Sequence, residues 1–240
     1  RLLRQRFAGM MSPERLQAVL DNWEELRRAD HPAKEAAVLF ADIRNFTRTT
    51  EILMRQNRSS EMVAFLSRYL DVMSEAVFKE GGVIYRMLGD GLLIMFGLPE
   101  PIPDPALSAV RAAINMSQAA AALQTDWPLH DQEPMQMGIG VHFGAMVDAI
   151  VGGGRRVDYA IIGDPANTAA RIEGYCKTAM QTPRPPGGEV PEFVTILISQ
   201  ELHQRVADHI LADESVPPFE AHGKAEPLRV VRVLGLQQSS

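Results

Sequence analysis

VIYRMLGDGLLIMF, residues 83–96, decides the fold class, because it contains two apolar runs separated by Gly89, Asp90 and Gly91. An aspartate flanked by glycines favours a tight chain reversal. The sequence therefore predicts a β-hairpin with strands at 83–88 and 92–96. A hairpin in a chain that also contains long helical patterns is typical of the α+β class.

Helix and strand patterns alternate on both sides of this hairpin. Residues 36–41 (AAVLFA) form a short continuous apolar run, which predicts a buried strand that ends next to Asp42. Helices are predicted at 59–79, 105–123 and 165–177 and after Ser199, strands at 136–143, 145–151, 157–162, 193–198, 218–221 and 228–234, and a glycine turn at 152–154. We expect an α+β fold with one sheet and helices on one face.

The composition excludes several classes of protein. The chain has 240 residues, 46% of them apolar and 22% charged, and no apolar run approaches the roughly 20 residues of a membrane-spanning helix. The single cysteine, Cys176, excludes an intramolecular disulfide and a zinc site built on several cysteines. The net charge of −6 has the wrong sign for gripping a nucleic-acid backbone, so we expect no nucleic-acid partner.

Residues 1–33 are predicted to be a helical lead-in to a domain at 34–236. Ser12 followed by Pro13 is typical of a helix start, and apolar residues recur after it at helical spacing. Because the sequence starts with Arg1 and shows no signal peptide, we expect a piece of a longer protein with an upstream regulatory domain. The expected location is the cytoplasm, or the cytosolic part of a membrane-anchored protein.

Two carboxylates are the first candidates for chemistry. Asp42 follows a predicted buried strand, and Asp90 lies in the predicted hairpin turn. Magnesium prefers oxygen ligands and keeps positions for water and substrate phosphate, so two aspartates from neighbouring strand ends fit a site for a nucleoside triphosphate and its metals. Each residue alone is also explained by turn or helix-cap chemistry, and only the surrounding sequence favours a function.

Three stretches provide that context: FADIRNFT at 40–47, LGDGLLIMFG at 88–97 and DYAIIGDPANTAAR at 158–171. In this order and at these spacings they resemble the catalytic domain of the class III nucleotide cyclases, the adenylyl and guanylyl cyclases. The resemblance covers roughly residues 36–234. It implies a ferredoxin-like sheet with added strands, and two domains paired head to tail with each active site at the interface, so a single chain is expected to be inactive.

The resemblance also assigns roles to individual residues. Asp42 and Asp90 match the two metal aspartates, and the backbone carbonyl of Ile43 matches a further ligand, for two Mg²⁺ or Mn²⁺ ions per site. Asn167 and Arg171 match the pair that stabilises the transition state. They are four apart in a predicted helix and therefore share one face, although an ordinary amphipathic surface would give the same spacing.

Departures from the family pattern concern the base. Where adenylyl members have a lysine this chain has Arg86, and at the second base-reading position it has Ala160. A guanidinium only donates hydrogen bonds and alanine offers none, whereas Phe46 matches a position that stacks on any base. ATP is the first choice of substrate. A guanylyl or pyrimidine (UTP or CTP) cyclase is the alternative, because Arg86 could instead face carbonyl oxygens, unless it simply replaces the lysine at adenine.

A further departure lies near the C-terminus. The segment at 220–227, EAHGKAEP, looks like the family's Lys-Gly-Lys segment, whose first lysine contacts the triphosphate, and His222 occupies that position. Lys224 could take over this contact, or His222 could act when protonated. The proline-rich loop at 178–192 also looks longer than usual, and its role stays open.

A non-catalytic cyclase-like module is the rival hypothesis. Degenerate domains normally lose a metal aspartate or the transition-state pair, whereas this chain keeps Asp42, Asp90, Asn167 and Arg171. We therefore expect an enzyme that cyclises a nucleoside triphosphate for second-messenger signalling. With all four residues on one chain, a homodimer with two equivalent sites is simpler than a heterodimer.

Overall fold

The computed structural model describes residues 9–21, 31–153 and 156–237, and at 153, 156 and 157 it describes the backbone but no side chains. The helices are α1 (Pro13–Asp21), α2 (Phe46–Arg55), α3 (Ser59–Lys79), α4 (Pro105–Ala122), α5 (Pro165–Ala179) and α6 (Gln200–Val206), with 3₁₀ turns at Gln124–Asp126 and Ala207–His209. The strands are β1 (Lys34–Ile43), β2 (Val83–Leu88), β3 (Gly91–Phe96), β4 (Met137–Gly153), β5 (Arg156–Ile162), β6 (Val194–Ser199), β7 (Ile210–Asp213) and β8 (Val230–Leu236).

The sheet contains a ferredoxin-like core with additions at one side. Its strand order is β2-β3-β1-β4-β6-β8-β7, and β5 pairs with the far half of β4. The first four strands are antiparallel neighbours, whereas β6 runs parallel to β4. The predicted α+β class is confirmed, and so is the hairpin, which turns at Gly89 and Asp90 with Gly89 at a φ of 71°.

Helices cover both faces of the sheet, so their predicted restriction to one face is wrong. On one face, α3 and α4 pack against the β1 side chains Ala37, Leu39 and Ala41. On the other face, Ala169 of α5 packs against Val38 and its neighbours. The strands in the middle of the sheet read as continuous apolar runs because both of their faces are buried, which is the pattern expected of a sheet covered on both sides.

Glycines in β4 allow α5 to lie unusually close to the sheet. A Cβ atom added at Gly140 would lie 2.3 Å from the backbone nitrogen of Glu173 and 2.5 Å from the carbonyl oxygen of Ala169. Both distances are far below van der Waals contact, so any side chain at this position would push the helix away. The position of α5 relative to β1 and β4 is therefore fixed by backbone approach.

Several predicted boundaries need correction. The strands predicted at 136–143 and 145–151 form one strand, β4, and the turn predicted at 152–154 falls partly outside the described residues. A strand at 218–221 is wrong, because Phe219 makes only an isolated bridge to Leu228. Helix α2 and strand β7 were not predicted. Strand β7 has four residues, too few to show a period, and α2 is only ten residues long and directly follows the buried strand.

Within the described part of the lead-in, residues 13–21 are helical, whereas residues 9–12 and 31–33 are not. Pro13 begins α1, the Leu16 amide donates to the Ser12 carbonyl at 3.0 Å, and Leu16 and Val19 pack beside β2 and β5. The remainder of the lead-in lies largely outside the described residues, and the boundary at 33/34 stays a prediction. Among the described helices, none combines the length and the apolar character that crossing a bilayer requires.

Candidate active site

Asp42 and Asp90 meet at one pocket. Asp42 is the penultimate residue of β1, and Asp90 lies in the hairpin turn beside it. The Ile43 amide donates to Asp90 Oδ2 at 3.0 Å, and a Cβ added at Gly91 would lie in ordinary van der Waals contact with Asp42 Oδ1, at 3.7 Å, so the turn lies directly against the end of β1. The pocket has a volume of about 610 Å³ and is also lined by Phe46.

The electrostatics of this pair fit a cation. Burial, a hydrogen bond to Asp42 and the charge of Asp42 together raise the pKa of Asp90 to about 8. Two carboxylates brought together in a buried position repel each other, and a divalent ion removes that penalty. The described residues contain no cluster of three or more His, Cys, Asp or Glu side chains suited to a metal. A site here would use two aspartates, a backbone carbonyl such as that of Ile43, and oxygens from substrate and water.

Asn45 explains the abrupt change from β1 to α2. It adopts a left-handed conformation with a φ of 60°, which asparagine tolerates better than most residues, and the next residue, Phe46, begins the helix. Phe46 is thereby placed at the pocket beside Asp42. The Asn-Phe pair after the buried strand was a usable sequence signal for this turn.

Arg44 and Glu173 form a buried ion pair next to the pocket. Arg44 Nη2 lies 2.6 Å from Glu173 Oε1 and donates to the Glu173 carbonyl oxygen at 2.6 Å, and the two side chains are 13% and 8% exposed. Burial raises the pKa of Glu173 to about 7, against the opposing effect of Arg44 and with a contribution from the charge of Asp42. Asp42 therefore lies close enough to Glu173 to disfavour its charged form.

Asn167 and Arg171 lie on α5 but outside the pocket of Asp42 and Asp90. Asn167 is exposed, and Arg171 is half-buried with its Nη1 3.7 Å from Asp164 Oδ1. Lys224 forms an ion pair with the same Asp164 carboxylate, which also accepts a hydrogen bond from Thr168 at 2.8 Å. Two cations therefore converge on one acid at the start of α5, and Lys224 rather than the exposed His222 joins this group.

The base-reading positions are neighbours within one chain. Tyr85 Oη donates to the carbonyl oxygen of Tyr159 at 3.1 Å, and the two rings lie 6.0 Å apart in an edge-to-face arrangement. Arg86 and Ala160 follow these tyrosines directly in the sequence. Arg86 is exposed, with its guanidinium 5.2 Å from the centre of the Tyr85 ring.

The predicted residues thus fall into two half-sites on the described chain. We call the pocket of Asp42, Ile43, Phe46 and Asp90 the metal half-site. Outside this pocket lie two groups, Arg86 with Ala160 and Asn167 with Arg171 and Lys224, which we together call the nucleotide half-site. None of these five residues lines the pocket of the metal half-site. Sequence reasoning missed Arg44, Glu173 and Asp164, because their roles depend on partners more than 50 residues away in the sequence.

With the two aspartates beside one pocket, the family can be named. The model of the adenylate and guanylate cyclase catalytic domain matches residues 29–180, more than half of the chain. This chain belongs to that family. The resemblance of the three sequence stretches is confirmed, and the protein is a class III cyclase catalytic domain.

Several curated relatives of this cyclase domain are named adenylate cyclases. An adenylate cyclase of Anabaena cylindrica is 30% identical over 181 residues, which covers 74% of this chain and 33% of the relative. Adenylate cyclase 1 of Rhizobium meliloti is 32% identical over 145 residues, which covers 60% of this chain and 21% of the relative. The chain therefore spans no more than a third of the length of these relatives.

Solved structures of both nucleotide classes share the fold. The guanylyl cyclase Cya2 superposes with a TM-score of 0.71 at 27% identity, over 87% of this chain and 95% of that one. The adenylyl cyclase CyaB from P. aeruginosa gives the same TM-score of 0.71 at 26% identity, over 85% and 95%. Equal similarity to the two shows that the fold does not decide the base.

Proposed function

We propose that this domain converts a nucleoside triphosphate, with ATP as first choice, into the 3′,5′-cyclic nucleotide and pyrophosphate. The observation that carries the proposal is the convergence of Asp42 and Asp90 on one pocket, while Asn167 and Arg171 remain intact on a separate surface. The resulting cyclic nucleotide would act as a second messenger. The adenylate cyclase names of the curated relatives support ATP.

During the reaction, negative charge must be stabilised on the entering 3′-oxygen and on the leaving oxygen, which lie on opposite sides of the α-phosphorus. The ribose 3′-oxygen forms a bond to the α-phosphorus, the bond to the β-bridging oxygen breaks, and the 3′-hydroxyl proton leaves to solvent. Mg²⁺ or Mn²⁺ bound by the metal half-site would supply an acidified 3′-hydroxyl and neutralisation of the leaving pyrophosphate. Asp42 and Asp90 would hold the ions. The hydrogen bond that the Ile43 amide donates to Asp90 would keep the Asp90 carboxylate turned toward them.

The nucleotide half-site would act on the phosphates and the ribose. Arg171 offers a guanidinium to the charge that develops on the α-phosphate, and Asn167, one helical turn earlier, offers an amide that orients the ribose. Lys224 and Arg171 share the partner Asp164, which supports a role for Lys224 in binding the β- or γ-phosphate. His222 is exposed on the same loop and is a weaker candidate for that contact.

A homodimer would join the two half-sites. Because the pocket of Asp42 and Asp90 is not lined by Asn167 or Arg171, one chain offers the metals of one site and the transition-state groups of another. A head-to-tail pair of identical chains completes two equivalent sites. Exposed apolar side chains on the elements that bear these groups, Met87 and Leu88 of β2 and Ile162 of β5, suit such an interface.

A guanylyl or pyrimidine cyclase is the second candidate. Arg86 is exposed, stacks near Tyr85 and brings only hydrogen-bond donors, and Ala160 brings no side-chain hydrogen bond. Donors alone match the carbonyl oxygens of guanine, uracil or cytosine better than the amino group of adenine. The base therefore needs a direct measurement.

The test is incubation of the purified domain with ATP, GTP, CTP or UTP and Mn²⁺, followed by mass spectrometry of the cyclic product. Cyclic AMP as the main product supports the first choice, and another cyclic nucleotide supports the second candidate. The matched control is Asp42→Asn, which keeps the shape and loses the charge. Absence of every cyclic product from the dimeric wild-type domain contradicts the proposal.

A further inference from the structure

The Arg44–Glu173 pair connects the two half-sites of one chain. Arg44 is two residues after Asp42, and Glu173 is two residues after Arg171. The guanidinium reaches both the carboxylate and the backbone carbonyl of Glu173, at 2.6 Å each. The Arg44 side chain, directly after β1, thereby holds α5, the helix that carries Arg171.

The sheet is shaped to admit this pair. A Cβ added at Gly138 of β4 would lie 2.0 Å from Arg44 Nη2 and 2.8 Å from Glu173 Oε1. Only glycine at this position leaves room for the ion pair. The Arg44 amide donates to the Gln136 carbonyl oxygen at 2.8 Å, so the backbone before the guanidinium is fixed as well. Both partners are nearly buried, which makes their interaction strong and its loss costly.

We propose that Arg44 and Glu173 are a positioning pair that transmits cation binding at the metal half-site to helix α5 of the same chain. A divalent ion on Asp42 would repel the Arg44 guanidinium and cancel the repulsion between Asp42 and Glu173. Both changes strengthen the Arg44–Glu173 contact and hold α5 more firmly. This inference rests on the proposed function, and in a head-to-tail dimer it couples the metals of one site to Arg171 of the other.

The experiment measures hydrogen exchange of α5 by mass spectrometry, with and without Mn²⁺ alone and no nucleotide. In the wild-type domain, saturating Mn²⁺ should slow exchange of the α5 amides by about threefold or more. In Glu173→Gln the slowing should disappear, while calorimetry shows Mn²⁺ affinity within about threefold of wild type. Arg44→Gln removes the same pair from the other side and should lose the slowing too, so it serves if Glu173→Gln does not fold.

Asp213→Asn is the matched control. Asp213 and Arg232 form another buried ion pair, with both side chains 3% exposed and a separation of 3.3 Å, at the β7–β8 edge of the sheet. The substitution Asp213→Asn removes a comparable buried ion pair, and Mn²⁺ should still slow hydrogen exchange of α5 in this variant. A general loss of stability would instead raise exchange in both variants without Mn²⁺ and would leave the slowing by Mn²⁺ in place.

The outcomes separate the two proposals. If wild type binds no Mn²⁺, or Asp42→Ala binds it equally well, the metal half-site is wrong and the positioning role is overturned with it. If wild type binds Mn²⁺ but α5 exchange does not change, or if Glu173→Gln keeps the slowing, only the positioning role is overturned. Retention of the effect in Asp213→Asn together with its loss in Glu173→Gln supports the proposal.

Discussion

The metal half-site and the nucleotide half-site differ in how completely one chain builds them. Asp90 is 8% exposed, and its carboxylate accepts a hydrogen bond from the Ile43 amide in the pocket that it shares with Asp42. Arg86 and Asn167 are exposed, and Arg171 and Lys224 share the carboxylate of Asp164. The first region is held in place by contacts within the chain, and we expect the second to become organised when a phosphate displaces the internal acid Asp164.

The difference follows from the chemistry that each region would perform. Carboxylates that hold a divalent ion gain from burial, because a low dielectric strengthens their attraction for the cation. Cations that receive a flexible triphosphate need access from solvent, and long side chains such as Lys224 reach it from an exposed loop. Variants of the metal aspartates should therefore abolish activity, as should loss of Arg171 if it acts on the α-phosphate. Variants of the exposed Arg86 and Asp164 should instead change base selectivity and KM.

The largest effect is expected at the metal aspartates. Asp42→Ala and Asp90→Ala should each lower kcat by more than about 100-fold, because one of two carboxylates that hold the ions is lost. Circular dichroism and the melting temperature should stay close to wild type, since both substitutions also remove a repulsion. Removal of divalent ions with EDTA should give the same loss. Wild-type turnover by folded Asp42→Ala would contradict the metal half-site.

Complementation between chains comes next in size. Asp42→Ala and Arg171→Ala should each be inactive alone, and an equal mixture should recover about a quarter of wild-type activity, because half of the dimers would contain one intact site of two. The control is a mixture of Asp42→Ala with Asp90→Ala, which damages the same half-site on both chains and should stay inactive. A mixture that stays inactive despite proven heterodimers would place the whole site within one chain.

Base selectivity should respond to the two departures from the family pattern. Arg86→Lys combined with Ala160→Thr should raise the preference for ATP over the other nucleotides about tenfold or more, because a discriminating hydrogen bond changes binding by roughly 1 to 3 kcal/mol. The measurement is kcat/KM for each nucleotide, with Arg205→Lys as a distant control of the same chemistry. An unchanged ratio in an already selective enzyme would show that these positions do not read the base.

The sequence predicted the metal half-site better than its surroundings. Asp42 and Asp90 could be paired because a buried strand and a hairpin turn are local patterns, and their meeting required only that neighbouring strands end together. The hairpin was predicted almost to its residue bounds, 92–96 against the observed Gly91–Phe96 for its second strand. Local chemistry therefore sufficed for this region.

The contacts that connect the half-sites could not be predicted in the same way. Arg44 pairs with Glu173 across 129 positions, and Lys224 pairs with Asp164 across 60. Neither pair leaves a periodic signal, because each involves one residue per element. The prediction that helices cover only one face of the sheet was wrong for a related reason. Helix α5 packs on the second face against Gly138 and Gly140, and isolated glycines in a strand indicate a close approach without showing which element approaches.

Asp164→Asn tests the smallest expected effect, on the exposed half-site. The carboxylate of Asp164 pairs with Lys224 and lies 3.7 Å from Arg171, and Lys224 and then Thr168 lower its pKa below the usual range. A triphosphate must compete with this internal acid, so its neutralisation should lower KM about two- to fivefold with little change in kcat, as befits an exposed ion pair. Asp131→Asn, at an exposed site in the loop before β4, is the control. A raised KM would instead mean that Asp164 preorganises the two cations for substrate, and the two half-sites would then be equally well built before the nucleotide arrives.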